Sequence, residues 1–535
     1  MMTPRRTLWL LIGASTLLRL AWASILGPGN DEAYHYLFWA HPDWSYFDHP
    51  PMVAVIESIG PALLRGSTSP FALRLGFIAL FAGSTWLMYR LAERPFGPRV
   101  GLLAAFALNV TAYHTAAASS FVLPDGPLLF FWLLTLDRLA AAFDEPDRIF
   151  PWLGVGVAWG LALLSKYHAI FLPAGALIYL WVEPSARRVL RRPGPYLAAL
   201  IGILVFSPVI AWNASHHWVS FLFQGGRAVG SLWPRPDYLA AMIGGQIAYL
   251  FPWIWIMLAV IMVRGVRQFR KIGRVERFFL CGSIAPLVAF TGVACFHRVL
   301  PHWTLVGYLS LFPLLGLAWE ARWRADPAKA LKYFKMLALA TLIPVAFVLA
   351  EYQFGFLQQG ARVSLGILPP KSKIDQTIEL YGWDQVAEEL GRRGLLGRDT
   401  DFLFTGNWIS SGQIAYATRD SGIPVLCYND RDARGFAFWS RPEDWVGKDG
   451  LLISVNDRQA EPECYERYFS RIEPVAAFDV TRAGGVVRSI RVFRCIRQIM
   501  AFPFLPGDLD AEPRRVVAIP AGDEARARSG LPRSR

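Results

Sequence analysis

The sequence predicts a polytopic α-helical membrane protein with a small C-terminal α/β domain, and three observations point there. Of the 535 residues, 54% are hydrophobic and 18% charged, against about 25% charged in an ordinary soluble chain. Mean hydropathy is positive, at +0.32. The basic residues fall in short clusters between apolar runs, the pattern of cytoplasmic loops in membrane proteins.

A helix needs about 20 apolar residues to cross the hydrocarbon core. By that rule about eleven spans are expected, near 7–27, 71–92, 100–118, 124–143, 151–165, 168–182, 196–213, 238–263, 278–296, 303–320 and 333–351. The fifth and sixth are short and share the apex Ser165-Lys166-Tyr167-His168. The basic start at Arg5-Arg6 and the apolar run after it read as an uncleaved first helix. The run is too long for a signal h-region and lacks a small-x-small cleavage site.

Orientation follows from the cations. Arg5-Arg6, the Arg90 to Arg99 turn, Arg187 to Arg192, Arg264 to Arg277 and Arg322 to Lys332 all fall on one side. Residues 28–70, 119–124, 214–237 and 297–302 lie opposite and carry few basic residues. The positive-inside rule places the N-terminus in the cytoplasm and the first loop, 28–70, outside. An odd number of spans then places the C-terminal part outside too.

Past about residue 352 the long apolar runs stop. Thr377 to Glu389 reads as an amphipathic helix, and Asp401 to Thr405, Pro424 to Tyr428, Gly450 to Val455 and Val486 to Cys495 as short strands. Alternating helix and strand predicts a small α/β domain over 353–498, after a membrane domain over 1–352. Residues 499–535, rich in Pro, Gly, Arg and Asp without periodicity, read as a disordered tail. Of the five cysteines, Cys281 and Cys295 read as packing residues. One disulfide among Cys427, Cys464 and Cys495 is possible if that part is extracytoplasmic. The net charge of +13 does not imply nucleic acid, because the cations are dispersed among the inside loops.

Apolar packing does not account for residues 30–52. They set Asp31, Glu32, Asp43 and Asp48 beside three histidines and several aromatics, straight after the first span. Carboxylates that near a membrane are costly outside a hydrated, protein-lined site. The plain alternative is a surface loop with an aromatic interface belt. Other polar segments on the same side are Leu123-Pro124-Asp125-Gly126-Pro127, Ser165-Lys166-Tyr167, Asn213 to Gln224 with Arg227 beyond it, and His297 to Trp303.

Asp31-Glu32-Ala33-Tyr34 after a first span, then Tyr46-Phe47-Asp48-His49-Pro50-Pro51-Met52, resembles the first extracytoplasmic loop of the GT-C glycosyltransferases. The likeness is to their bacterial protein-mannosyltransferase-like and aminoarabinose-transferase-like branch. The segments at Asp125, Lys166, His217 and His302 resemble further motifs of that branch, and the likeness runs over about residues 5–350. It implies an inner-membrane enzyme that moves a sugar, with inversion, from a polyprenyl-phosphate carrier to a lipid, glycan or protein acceptor on the periplasmic side. No nucleotide-binding Gly-rich motif is present, and no cofactor or obligatory metal is expected.

The same resemblance assigns roles. Asp31 matches the family's base, with Glu32 the adjacent alternative; a helix-start acid competes with both readings. Asp48 would orient a substrate hydroxyl or His49, unless the Asp-His-Pro-Pro stretch is only a rigid turn. Asp125 would bind sugar or support Asp31, although Pro-Asp is also a common helix start. Lys166, next to Tyr167, would meet the donor phosphate or else snorkel to headgroups. His217 would line the substrate or anchor at the membrane interface, His302 would line the substrate, and Arg227 and Arg298 are further phosphate candidates, with headgroup contact the alternative for Arg298. The rival class is a transporter or flippase for a lipid-linked glycan, or a non-catalytic assembly subunit. A transporter predicts charges inside helices, broken helices and repeated halves.

Overall fold

The structure, a computed structural model, describes residues 3–227, 233–357, 375–456 and 461–504. Helices occupy the described chain as far as Phe354. Five are long and apolar enough to cross a membrane: Pro70–Phe96, Asp125–Asp144, Gly194–Ser215, Arg274–Ala294 and Pro327–Phe354. Four bent pairs pass only as units, which gives up to nine spans among the described residues. This is fewer than the eleven expected. Pro4–Ala23 carries Arg5, Arg6 and Arg19, and Ile149–Ser165 has 17 residues.

The bends have local causes. Pro98–Asn109 turns by 82° into Ala112–Ser120, and Pro236–Leu250 by 112° into Pro252–Arg267. Pro252 lacks the N–H that would continue the second helix, so the chain breaks at Phe251. These two breaks bring Tyr113 and Tyr249 into ring contact at 5.2 Å. Elsewhere the bundle is tight. Helix Ile149–Ser165 lies on Gly194–Ser215 through Gly156 and Gly160, where an added Cβ would come within 2.7 Å of Ala198 O and 2.5 Å of Val205 Cβ. Small residues four apart let backbones approach and gain dispersion contacts.

One end of the bundle is basic. There Arg90 pairs with Asp137 at 3.2 Å, Arg99 with Glu320 at 3.3 Å, Arg274 with Asp144 at 2.7 Å and Arg277 with Glu183 at 3.1 Å. The sidedness read from the sequence therefore appears as a set of helix ends tied together by ion pairs.

The C-terminal part folds on a five-stranded sheet: β1 Phe402–Thr405, β2 Val425–Cys427, β3 Gly450–Val455, β4 Phe469–Arg482 and β5 Gly485–Gln498, in the order β2-β1-β3-β5-β4. β1 is parallel to β2 and β3, and β5 is antiparallel to β3 and β4. Alternating side chains build two cores. Phe402 and Phe404 pack with Tyr428 and Phe469, while Leu403 meets Ile414 and Ile453 on the other face.

Four expectations change here. The helix expected over Thr377 to Glu389 is a 3-10 turn, Gln376–Leu380, then an α-helix, Trp383–Arg392. Strand β4 was not expected at all. The stretch read as a tail from 499 is ordered at its start, because Phe502 and Phe504 are buried against Tyr428; residues 505–535 lie outside the described set. All five cysteines are free, Cys427 and Cys495 being buried and Cys464 exposed, so the possible disulfide is absent.

The first loop also folds. Helix Asn30–Ala40 is buried between the bundle and helix Trp408–Ala417 of the C-terminal domain. Gly412 makes that contact: a Cβ there would lie 3.2 Å from both the Cα and N of Tyr34. Gln413 donates to the Pro28 carbonyl and Asn30 Oδ1, and Tyr416 to the Thr68 carbonyl.

Candidate active site

Two helix ends set the centre. Asp125 is the first residue of Asp125–Asp144, behind Pro124, and Lys166 follows the last residue of Ile149–Ser165 in extended backbone. A carboxylate at a helix N-terminus and an ammonium at a C-terminus are each favoured by the helix dipole. Their charges meet: Lys166 Nζ lies 3.0 and 2.8 Å from Asp125 Oδ1 and Oδ2, both residues being buried. Among the described residues the third ammonium proton has no acceptor.

Tyr113, His302 and Tyr249 stand around this pair. His302 stacks on Tyr113 at 5.7 Å with the rings 10° apart. His302 lies within electrostatic range of Lys166, Asp125 and Arg227. The Arg227 guanidinium sits over Phe223 at 4.3 Å and Trp303 at 5.4 Å, a placement that uses its planar cation. His49 approaches from the first loop, 5.6 Å from His35 ring to ring. Burial, then His35, Lys166 and Arg227, hold its imidazole well below the usual value. Among the described residues its Nδ1 is buried without a partner.

Asp31 is exposed and stands at the edge of this group, in electrostatic range of Tyr113 and Glu379. Burial and then Asp31 raise the Glu379 carboxyl.

The expected residues therefore divide. Asp125, Lys166, His49, Arg227 and His302 come together, with Asp31 beside them. Glu32 does not join them. Its two oxygens accept from Arg74 Nε and Nη2 at 2.8 and 2.6 Å, from Val122 N at 3.0 Å and from Gly29 N at 2.8 Å. A carboxylate has about four acceptor positions, so Glu32 is committed to the scaffold rather than available as a base.

Asp48 is likewise engaged, accepting from Tyr34 Oη and Arg434 Nη1, both at 3.2 Å, rather than orienting His49 or an open hydroxyl. Tyr167 packs edge-on against Phe206 and Phe221. His217 is exposed in left-handed backbone. Its neighbour His216 stacks on Trp212, whose indole donates to Asp43 at 2.7 Å. Arg298 is exposed and makes no ion pair among the described residues.

Sequence reasoning did not find Tyr113, Tyr249, Arg74 or Arg434. A lone arginine one turn into an apolar helix was the available signal for Arg74, since such a charge needs a buried partner. Among the described residues no group of three or more His, Cys, Asp or Glu side chains is arranged to hold a metal ion.

Comparison with known proteins agrees with this architecture. A family model described as dolichyl-phosphate-mannose-protein mannosyltransferase matches residues 48–212. The chain is 26% identical over 328 residues to the lipid A galacturonosyltransferase RgtD of Rhizobium johnstonii, covering 58% of this chain and 64% of the relative. The match thus spans less than two thirds of that relative. Crystal structures of ArnT from Cupriavidus metallidurans share the fold. The form bound to undecaprenyl phosphate aligns with a TM-score of 0.63 at 16% identity, over 90% of this chain and 97% of that one. The apo form aligns with a TM-score of 0.61 at 17% identity, over 92% and 98%. The resemblance drawn from the motifs is borne out at the level of the fold, which is that of the ArnT crystal structures.

Proposed function

From a GT-C fold with a buried Asp125–Lys166 pair at the end of the bundle opposite the Arg90, Arg99, Arg274 and Arg277 ion pairs, we propose a glycosyltransferase that uses a polyprenyl-phosphate sugar donor and a lipid acceptor of the lipid A class. Its place is the bacterial inner membrane, with the site and the C-terminal domain on the periplasmic side. The observation that carries the reading is the convergence of Lys166, Arg227, His302 and His49 around Asp125, with Asp31 at the exposed edge. The fold shared with a structure bound to undecaprenyl phosphate supports the donor class, and the named activity of the Rhizobium relative supports the acceptor class.

The transfer is a single displacement with inversion. Asp31 takes the proton from the acceptor hydroxyl as that oxygen bonds to C1 of the sugar. The bond from C1 to the phosphate oxygen breaks, and its electron pair stays with the phosphate. The leaving prenyl phosphate gains one negative charge, which Lys166 and Arg227 steady at the moment it develops. Asp125 fixes the ammonium in place, so little reorganisation is needed.

The four bent helix pairs are a feature a transporter would share. Purified protein given a radiolabelled prenyl-phosphate sugar and lipid A separates the two readings. Release of prenyl phosphate with label in the lipid is expected, and Asp31→Asn should stop it. Movement of intact donor across vesicles without release would favour the transporter. Activity in Asp31→Asn with none in Asp48→Asn would refute Asp31 as the base.

A further inference from the structure

At the opposite, basic end of the bundle, a groove of about 630 Å³ opens between helices Pro4–Ala23 and Pro327–Phe354. Its wall is apolar, built from Leu11, Leu102, Phe106, Phe334 and Ala338. That volume falls in the ordinary range of about 300–1,000 Å³ for small-molecule sites. The groove belongs to neither the Asp125–Lys166 centre nor the C-terminal domain.

Its mouth is positive. Arg99 and Lys335 line it, and Pro4 and Thr7 bring the first turn of helix Pro4–Ala23 to its rim. The helix dipole places a partial positive charge at that end. The acid nearby is already balanced: Glu320 accepts from Arg99 at 3.3 Å and from Arg324 at 2.8 Å. Lys335 is exposed and also borders an adjoining hollow of about 400 Å³ with Lys332. Trp323 lies at the mouth beneath Arg99, 6.0 Å from its guanidinium carbon. Tryptophan at that level marks a membrane–water boundary.

An apolar slot that runs along two membrane helices and ends in cations is complementary to one chemistry, an acyl chain joined to an anionic phosphate. We infer that this groove binds a diacyl phospholipid with a net negative headgroup, one acyl chain lying along Leu102 and Phe334 and the phosphate held by Lys335 and Arg99. A zwitterionic lipid would fill the slot equally well but gain less from the cations, because its own ammonium opposes them. The site therefore selects by headgroup charge.

The test uses the full chain in nanodiscs made from equal parts phosphatidylglycerol and phosphatidylcholine, with retained lipid counted by native mass spectrometry after detergent transfer. Phosphatidylglycerol should be retained preferentially. Lys335→Gln should lower that preference about fivefold, the attraction of one lysine for an anionic headgroup near a membrane surface. Ala338→Trp fills the slot without changing charge and should remove the bound lipid of either kind. Millimolar inorganic phosphate should not displace it. Equal retention of both lipids, or a preference unchanged in both variants, overturns the proposal. Displacement by inorganic phosphate alone would mean a free-anion site, which also overturns it.

Discussion

The Lys166 ammonium and the Asp125 carboxylate face each other at 2.8 and 3.0 Å with both side chains buried. Two charges taken out of water are stable together and costly apart. Removing one partner of a buried pair typically costs about 3–5 kcal/mol, because the other charge is left uncompensated. Lys166→Met should therefore lower the melting midpoint in detergent. Adding Asp125→Leu should restore much of it, since an apolar pair of similar volume is close to neutral. Prenyl-phosphate release should stay absent in the double variant. A melting cycle run beside the release assay separates the structural from the chemical role.

Adjacent acids should behave in opposite ways. Glu32 spends its acceptor positions on Arg74, Val122 and Gly29, whereas Asp31 is exposed. Glu32→Gln leaves the buried Arg74 unbalanced and should destabilise the fold by about 3–5 kcal/mol. Asp31→Asn should melt like the parent and lose transfer by roughly 10²–10⁴-fold, the usual worth of a general base. Equal melting of the two variants would show that Glu32 is not a scaffold residue.

How far the sequence reveals this arrangement depends on what each residue does locally. Lys166 and Asp125 are legible because a charge at the end of an apolar run has few bland explanations. Their pairing is not, since spacing along the chain says nothing of which helix ends meet. Helix Asn30–Ala40 was read as loop because it is covered by the bundle on one side and helix Trp408–Ala417 on the other, which leaves no polar stripe to show a period. Strand β4 is an edge strand, half of it exposed, with Pro474 inside it, so its alternation is weak. The bent spans read as single runs, because hydropathy does not register the 82° and 112° turns.

Arg434 comes from 386 positions away to bond Asp48 at 3.2 Å, and its guanidinium lies 3.9 Å over the Trp408 ring. Asp48 precedes His49, so Arg434 is a positioning residue for that loop. Arg434→Lys keeps the charge but loses the planar stack. It should lower kcat more than it raises KM. A change confined to KM would place Arg434 on the substrate side instead.

The pH dependence of stability should separate two groups in the same loop. Burial, followed by neighbouring cations, lowers the His49 imidazole well below its usual value. Between about 6.5, the unfolded value, and that lower folded value, the unfolded chain binds a proton the folded chain refuses. Stability is then present above about 6.5 and falls as the pH drops. His49→Gln should flatten that part of the melting curve. Glu57 acts in the other direction, since burial and then Glu32 raise its carboxyl, and among the described residues neither of its oxygens has a partner. Its protonated form is stable below about 4.3, the unfolded value, and the fold loses stability as pH rises through the higher folded value. Glu57→Gln keeps the neutral shape and should raise the midpoint at pH 7 and above while leaving the His49 limb intact. Melting both variants from pH 5 to pH 8 checks the two signs independently; a Glu57→Gln protein that melts earlier than the parent at pH 8 would mean that the carboxylate is charged and partnered in the fold.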